Sequence, residues 1–105
     1  MNILFVCSRN KWRSLTAETI YQNHALHQVR SAGTSAAARI KISSKLIKWA
    51  DLIFVMEKEH KNRIKECFRE EIQGKELVVL EIPDNYQYMN EELILEIENK
   101  VSSYL

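Results

Sequence analysis

The chain of 105 residues contains only two cysteines, two glycines and one proline. Cys7 and Cys67 show no metal-ligand spacing, and no Cys/His cluster resembles a zinc site. No Pro/Gly-rich stretch marks a linker, and there is no repeat or low-complexity tract. The longest apolar run near the start is Ile3-Leu4-Phe5-Val6. It is far too short to cross a bilayer or to act as the apolar region of a signal peptide, and no basic segment precedes it. A cytoplasmic protein without membrane contact is therefore expected, in a reducing compartment where a structural disulfide is disfavoured.

What is present fits one globular domain spanning 1–105. Apolar residues make up 46% and charged residues 28%, and a chain of this size buries a core without disulfide staples. The net charge of +1 hides an asymmetry. Residues 1–48 hold eight Lys/Arg and one acid, whereas residues 49–105 hold seven Lys/Arg and thirteen acids. Such a division can mark an anion-binding face. His24, His27 and His60 are scattered and read as surface or core-edge residues.

Asn2–Val6 reads as a buried strand because it is continuously apolar. Ser14–Asn23 offers a helical apolar stripe. Gln28–Ser31 is a weak strand broken by Gly33, and 32–42 is a small, polar loop with little to pack. Ser43 or Ser44 can cap a helix running to Ala50, with Leu46, Ile47 and Trp49 inward. Leu52–Met56 is the clearest buried strand. Glu57–Ile72 reads as a charged helix carrying Ile64, Cys67, Phe68 and Ile72 and stopped by Gly74. Glu76–Glu81 contains Leu-Val-Val-Leu, a further strand. Asn90 can cap a last helix on which Leu93, Ile94, Ile97 and Val101 recur at helical spacing. The alternation predicts an α/β single-domain, three-layer fold, with a four-stranded parallel sheet and helices on both faces. Ligands of such sheets bind beyond the carboxyl ends of the strands. The loops after Val6, Met56 and Glu81 are therefore the ones to inspect.

Between the first strand and first helix lies Cys7-Ser8-Arg9-Asn10-Lys11-Trp12-Arg13-Ser14. A loop of this length can turn its backbone N–H groups toward one centre and form an anion nest. The following helix adds its N-terminal partial charge. Arg13 can grip two phosphate oxygens with its planar fork. A thiol in that field is expected to react as a thiolate, and the Ser14 hydroxyl can hydrogen-bond the sulfur and help it leave.

These features together resemble the low-molecular-weight protein tyrosine phosphatase family, and its short bacterial members in particular. Phe5-Val6-Cys7-Ser8-Arg9-Asn10, Arg13-Ser14 and Ala17-Glu18 match the family's opening strand, phosphate loop and helix. Ser31-Ala32-Gly33-Thr34 is similar to the segment after the second strand. Trp49 through Met56 resembles the third-strand region, and Pro83-Asp84-Asn85-Tyr86 the late Asp-Pro-Tyr loop. The resemblance implies Cys7 as nucleophile and Arg13 with loop residues Ser8, Arg9, Asn10, Lys11, Trp12 and Ser14 around the phosphate. It also implies an Asn10 brace, helped by Ser31, and Tyr86 as an aromatic wall, a task that Tyr88 either shares or leaves to Tyr86 and simply packs.

Phosphate transfer to sulfur needs an acid for the leaving group, and hydrolysis of the phosphocysteine needs a base; one carboxyl group can serve both. Asp84 follows the fourth strand and is the candidate, with Asp51, Glu57 and Glu81 as rivals near strand ends. The loop, Arg13 and the helix dipole supply the positive field that other phosphoryl-transfer enzymes take from Mg²⁺. No metal or cofactor is expected. The expected partners are a phosphorylated protein or small phosphate ester as substrate. Inorganic phosphate or sulfate can occupy the loop. Nucleic acid is not expected, because the basic half lacks aromatic interleaving.

Several positions depart from the family pattern. Arg9 stands where the family has Gly, which is costly if the loop needs a positive φ there. Trp12 replaces a second loop cysteine, Lys11 an apolar or β-branched residue, and Asn85 a proline. The 33–43 loop is short and lacks the family's histidine-containing stretch. Two other readings compete: an arsenate reductase on the same fold, which needs Cys67 as redox partner although its place beside Phe68 suggests core, and a catalytically weak phosphate-binding module.

Overall fold

The computed structural model describes residues 1–105. The elements run β1 (Asn2–Cys7), α1 (Arg13–Tyr21), β2 (Gln28–Gly33), α2 (Ser44–Trp49), β3 (Leu52–Val55), α3 (Lys58–Cys67), β4 (Glu76–Val79) and α4 (Glu91–Val101), closed by a 3₁₀ turn at Ser102–Tyr104. The four strands form one parallel sheet in the order β2-β1-β3-β4. This is the three-layer architecture that the alternation predicts.

Strand periodicity divides the core in two. Ile3, Phe5, Cys7, Leu52 and Phe54 point to the face covered by Ala17 of α1 and Leu93, Ile97 and Val101 of α4. Leu4, Val6, Ile53 and Val55 point to the other face, against Ile47 of α2 and Ile64 of α3. β1 and β3 are buried on both faces, which is why their sequences are continuously apolar. Ser43 caps α2, its hydroxyl accepting from Leu46 N, and Asn90 caps α4.

The chain leaves β1 toward β2 on one side and leaves β3 toward β4 on the other. The carboxyl ends of β1 and β3 therefore border the switch-point crevice of a doubly wound sheet. The loops after Cys7, Val55 and Val79 all open there.

Several boundaries differ from the sequence reading. β2 continues through Gly33, in register with Cys7. α3 stops at Cys67, five residues short of Ile72, because Phe68 leaves helical geometry (φ −131°, ψ 41°) and packs with Ile72 against the core. Gly74, at φ +76°, then turns the chain into β4 rather than ending the helix. Cys67, expected in the core, is exposed at the helix end. β4 ends at Val79, and Glu81 takes a left-handed conformation (φ 56°) that lets Ile82 turn inward.

Candidate active site

Cys7 ends β1 on the floor of a pocket of about 300 Å³, lined by Cys7, Ser8, Arg9, Lys11, Trp12, Arg13 and Asp84. Five loop residues lead from Cys7 to Arg13, the first residue of α1. The loop carbonyls are held from outside. Thr34 N donates to Cys7 O (2.9 Å), Ser35 N to Ser8 O (2.8 Å), Arg39 N to Arg9 O (2.9 Å), and Arg39 Nε to Asn10 O (3.3 Å). None of the N–H groups from Ser8 to Trp12 donates to a backbone carbonyl. With the carbonyls engaged from outside and these N–H groups without backbone acceptors, the loop has the donors an anion nest needs, with the start of α1 behind it.

Gly33 makes this approach possible. A Cβ there would lie 2.5 Å from Ser8 O and 2.6 Å from Ala38 Cβ. Within the small, polar 32–42 stretch, expected to have little to pack, Thr34, Ser35 and Arg39 brace the Cys7–Arg13 loop from outside. The left-handed residue in the loop is Asn10 (φ 55°) rather than Arg9, where strain was anticipated. Asn tolerates that conformation better than most residues.

A directed hydrogen-bond chain runs to the sulfur. Asn10 is fully buried, and its Nδ2 donates to Ser14 Oγ and to Ser31 Oγ, both at 2.8 Å. Ser31 donates to Glu18 Oε1 at 2.6 Å. Ser14 Oγ, already an acceptor from Asn10, lies 2.9 Å from Cys7 Sγ and 3.4 Å from Ala32 O. Its single proton is best directed at the nearer partner, so the chain presents a donor to the sulfur. Asn10, Ser14 and Ser31 are thus brought together beside the sulfur. Glu18, noted only as a motif match, anchors the chain.

Arg13 is almost fully buried. Its Nη1 donates to Glu57 Oε1 (2.5 Å) and to Ile82 O (2.9 Å), which leaves the Nε/Nη2 edge of the fork. Asp84 Oδ1 is 3.6 Å from Nε, beside that edge. Among the carboxylates considered, Asp84 alone lines the pocket. Asp51 accepts from Asn2 N at the opposite end of the sheet, Glu57 is engaged by Arg13, and Glu81 is exposed with its carbonyl held by Lys100.

Tyr86 is half-buried against the core and does not line the pocket, whereas Trp12 does. Tyr88 hydrogen-bonds Thr19 Oγ1 at 2.9 Å. Lys11 Nζ lies 5.3 Å from the centre of the Trp12 ring, within cation–π range.

His60 is the residue that sequence reasoning missed. It is buried, with Nε2 2.9 Å from Ser8 Oγ and Nδ1 accepting from Glu57 N at 3.0 Å. Burial, then the neighbouring Arg13 guanidinium, push its pKa down to about 4. A near-invisible signal was its place three residues after Glu57, the spacing of a reciprocal helix cap. Ligand-type atoms of Glu57, Glu59 and His60 lie within 4.8 Å of one another. Glu57 and both ring nitrogens are already committed to the contacts above, so the trio has little capacity for a metal. Cys67 lines a separate pocket with Thr34, Lys41 and Phe68.

Residues 2–48 match the family model described as low molecular weight phosphotyrosine protein phosphatase. That stretch includes Cys7 to Ser14 and Ser31. The chain has the low-molecular-weight phosphotyrosine phosphatase fold. The tyrosine phosphatase Wzb from Escherichia coli K30, solved with phosphate, superposes with TM-score 0.79 at 23% identity, over 98% of this chain and 94% of that one. Vibrio vulnificus Wzb with benzylphosphonate gives 0.79 at 24%, over 98% and 95%. The YwlE arginine phosphatase from Geobacillus stearothermophilus gives 0.69 at 22%, over 98% and 94%. No curated protein matches the chain. No helix is long and apolar enough to cross a membrane.

Proposed function

We propose that this chain hydrolyses phosphomonoesters through a phosphocysteine at Cys7. The observation that carries the reading is that Asn10, which donates to both Ser14 and Ser31, sets the Ser14 hydroxyl against Cys7 Sγ at the floor of the pocket that also holds Arg13 and Asp84. The phosphate sits in the nest, with two oxygens on the Nε/Nη2 edge of Arg13. Binding there displaces Asp84 from Nε and leaves its carboxyl facing the leaving oxygen.

The sulfur attacks phosphorus, and the bond from phosphorus to the leaving oxygen breaks. Asp84 gives that oxygen its proton. The resulting carboxylate then takes a proton from water as the water oxygen attacks phosphorus. The S–P bond breaks, and the returning thiolate is held by the Ser14 hydroxyl. The nest, Arg13 and the α1 terminus stabilise charge in both transition states. Ser8, Arg9, Lys11 and Trp12 form the walls, and Trp12 rather than Tyr86 supplies the aromatic surface.

The substrate is a phosphorylated side chain or a small ester. The fold's neighbours include both tyrosine and arginine phosphatases, so the test uses both chemistries. p-Nitrophenyl phosphate and phosphoarginine are offered across pH 4–8 with EDTA present, to wild type, Cys7→Ser and Asp84→Asn. Turnover that survives EDTA, vanishes in Cys7→Ser and loses its alkaline limb in Asp84→Asn is the expected result. Tight phosphate binding without turnover would favour a binding module instead. Thiol-dependent arsenate turnover lost in Cys67→Ser would favour a reductase.

A further inference from the structure

His60 touches both halves of the phosphate pocket without lining it. It is the third residue of α3, and it and Glu57 cap each other: the Glu57 side chain accepts from the His60 backbone N–H, and the ring Nδ1 accepts from Glu57 N. A backbone N–H can only donate, so Nδ1 carries no proton in the neutral ring, and Nε2 must carry it. Nε2–H therefore donates to Ser8 Oγ, 2.9 Å away. The Ser8 hydroxyl keeps its own proton for another acceptor, and Ser8 stands in the pocket wall next to Cys7. On its other side the same cap holds Glu57, whose carboxylate binds Nη1 of Arg13.

We propose that His60 is a positioning residue for the phosphate pocket. It turns the Ser8 hydroxyl into a donor toward a bound phosphate oxygen, and through Glu57 it sets the orientation of the Arg13 fork. One imidazole in a single tautomer thus couples the first residue of the phosphate loop to the guanidinium at its end. The proposal rests on the phosphatase reading only in taking phosphate as the ligand.

The alternative is that His60 merely caps α3. Capping alone gives a stability loss on substitution and no link to Ser8. Calorimetric titration of inorganic phosphate into wild type, Ser8→Ala, His60→Ala and the double variant separates the two. We expect His60→Ala to weaken phosphate roughly tenfold, the size of a lost hydrogen bond plus a loosened partner. The double variant should be no weaker than His60→Ala, because Ser8 has already lost its orientation. His60→Gln, which can accept from Glu57 N and donate to Ser8 from one amide, should recover most of the affinity. A folded His60→Ala with wild-type affinity, or losses that multiply in the double variant, would overturn the proposal.

Should His60→Ala not fold, His60→Glu keeps the reciprocal cap and offers Ser8 an acceptor in place of a donor. It should weaken phosphate at least as much, and unchanged affinity there would equally overturn the proposal. p-Nitrophenyl phosphate turnover is followed in parallel. Loss of Cys7-dependent turnover from the wild type would defeat the phosphatase reading, whereas the role of His60 is decided by phosphate affinity.

Discussion

The hydroxyl of Ser14 lies 2.9 Å from the sulfur of Cys7, and Asn10 donates to that hydroxyl from behind at 2.8 Å. With Asn10 donating to it, Ser14 is set to turn its own proton to the nearer partner, the sulfur, and a donor matters most when the sulfur becomes an anion. Ser14→Ala should lower kcat roughly 100-fold, as removal of one preorganised donor does. The second half-reaction, in which sulfur leaves, bears most of the loss. Stopped-flow mixing with p-nitrophenyl phosphate should show a burst near one equivalent followed by slow turnover. An unchanged kcat would remove Ser14 from the mechanism.

Gly33 gives a second expectation. A Cβ at this position meets the Ser8 carbonyl at 2.5 Å, backbone that cannot easily give way. Gly33→Ala should cost about 1–3 kcal/mol of stability through overpacking, and it should weaken phosphate by pushing the loop out of shape. Urea unfolding with and without phosphate reads both effects. Stability and phosphate protection equal to wild type would show that the loop does not rest on β2.

The buried ring of His60 predicts an acid sensitivity. In the unfolded chain it takes a proton near pH 6.5, but in the folded one only near 4. Between these values the unfolded state binds more protons, so stability falls as pH drops from 6.5 to 4 and the contribution levels off below. The charged and titratable groups facing the ring are Arg13 from α1, Glu57 capping α3, Glu59 within it, and Asp84 from the loop after β4. Arg13 opposes protonation, and Glu57 and Asp84 favour it. Urea midpoints across pH 4–7 should decline more steeply for wild type than for His60→Gln. Parallel curves would place the titration elsewhere.

Lys11 carries an expectation about substrate charge. It lines the pocket mouth beside Arg9 and Trp12, with its ammonium over the indole. Aryl phosphates bearing an extra carboxylate should react with higher kcat/KM than uncharged ones. Lys11→Ala should erase the difference, a few-fold effect of the size expected for an exposed charge pair. The comparison is made at low and high salt, since screening should shrink it. Equal rates on both substrates, in both proteins, would sink the idea.

Much of this architecture was legible in the residues themselves. Ile3–Val6 and Leu52–Val55 announce strands buried on two faces, and Asn90 and Ser43 cap where capping chemistry says they should. Cys7 to Ser14 was readable because the reactive groups are contiguous. The rest of the site was not, because it depends on pairs far apart in the chain: His60 with Ser8, Arg13 with Glu57 and Ile82, and the 34–39 amides with the loop carbonyls. Tertiary packing also overrode local pattern. Phe68 broke a charged helix to reach the core and left Cys67 outside. The left-handed turn fell on Asn10, whose side chain the site also needs, rather than on Arg9.

Arg13 does not wait for its anion as a bare cation. Glu57 is bound to it already, and Asp84 stands close by. The acidic second half of the chain therefore tempers the basic first half at Arg13. A guanidinium that shares its charge with a resident carboxylate holds a free anion less tightly than a bare one, while its remaining edge stays open. On the phosphatase reading proposed above, the Arg13–Glu57 pair would limit product inhibition and let the pocket empty between turnovers.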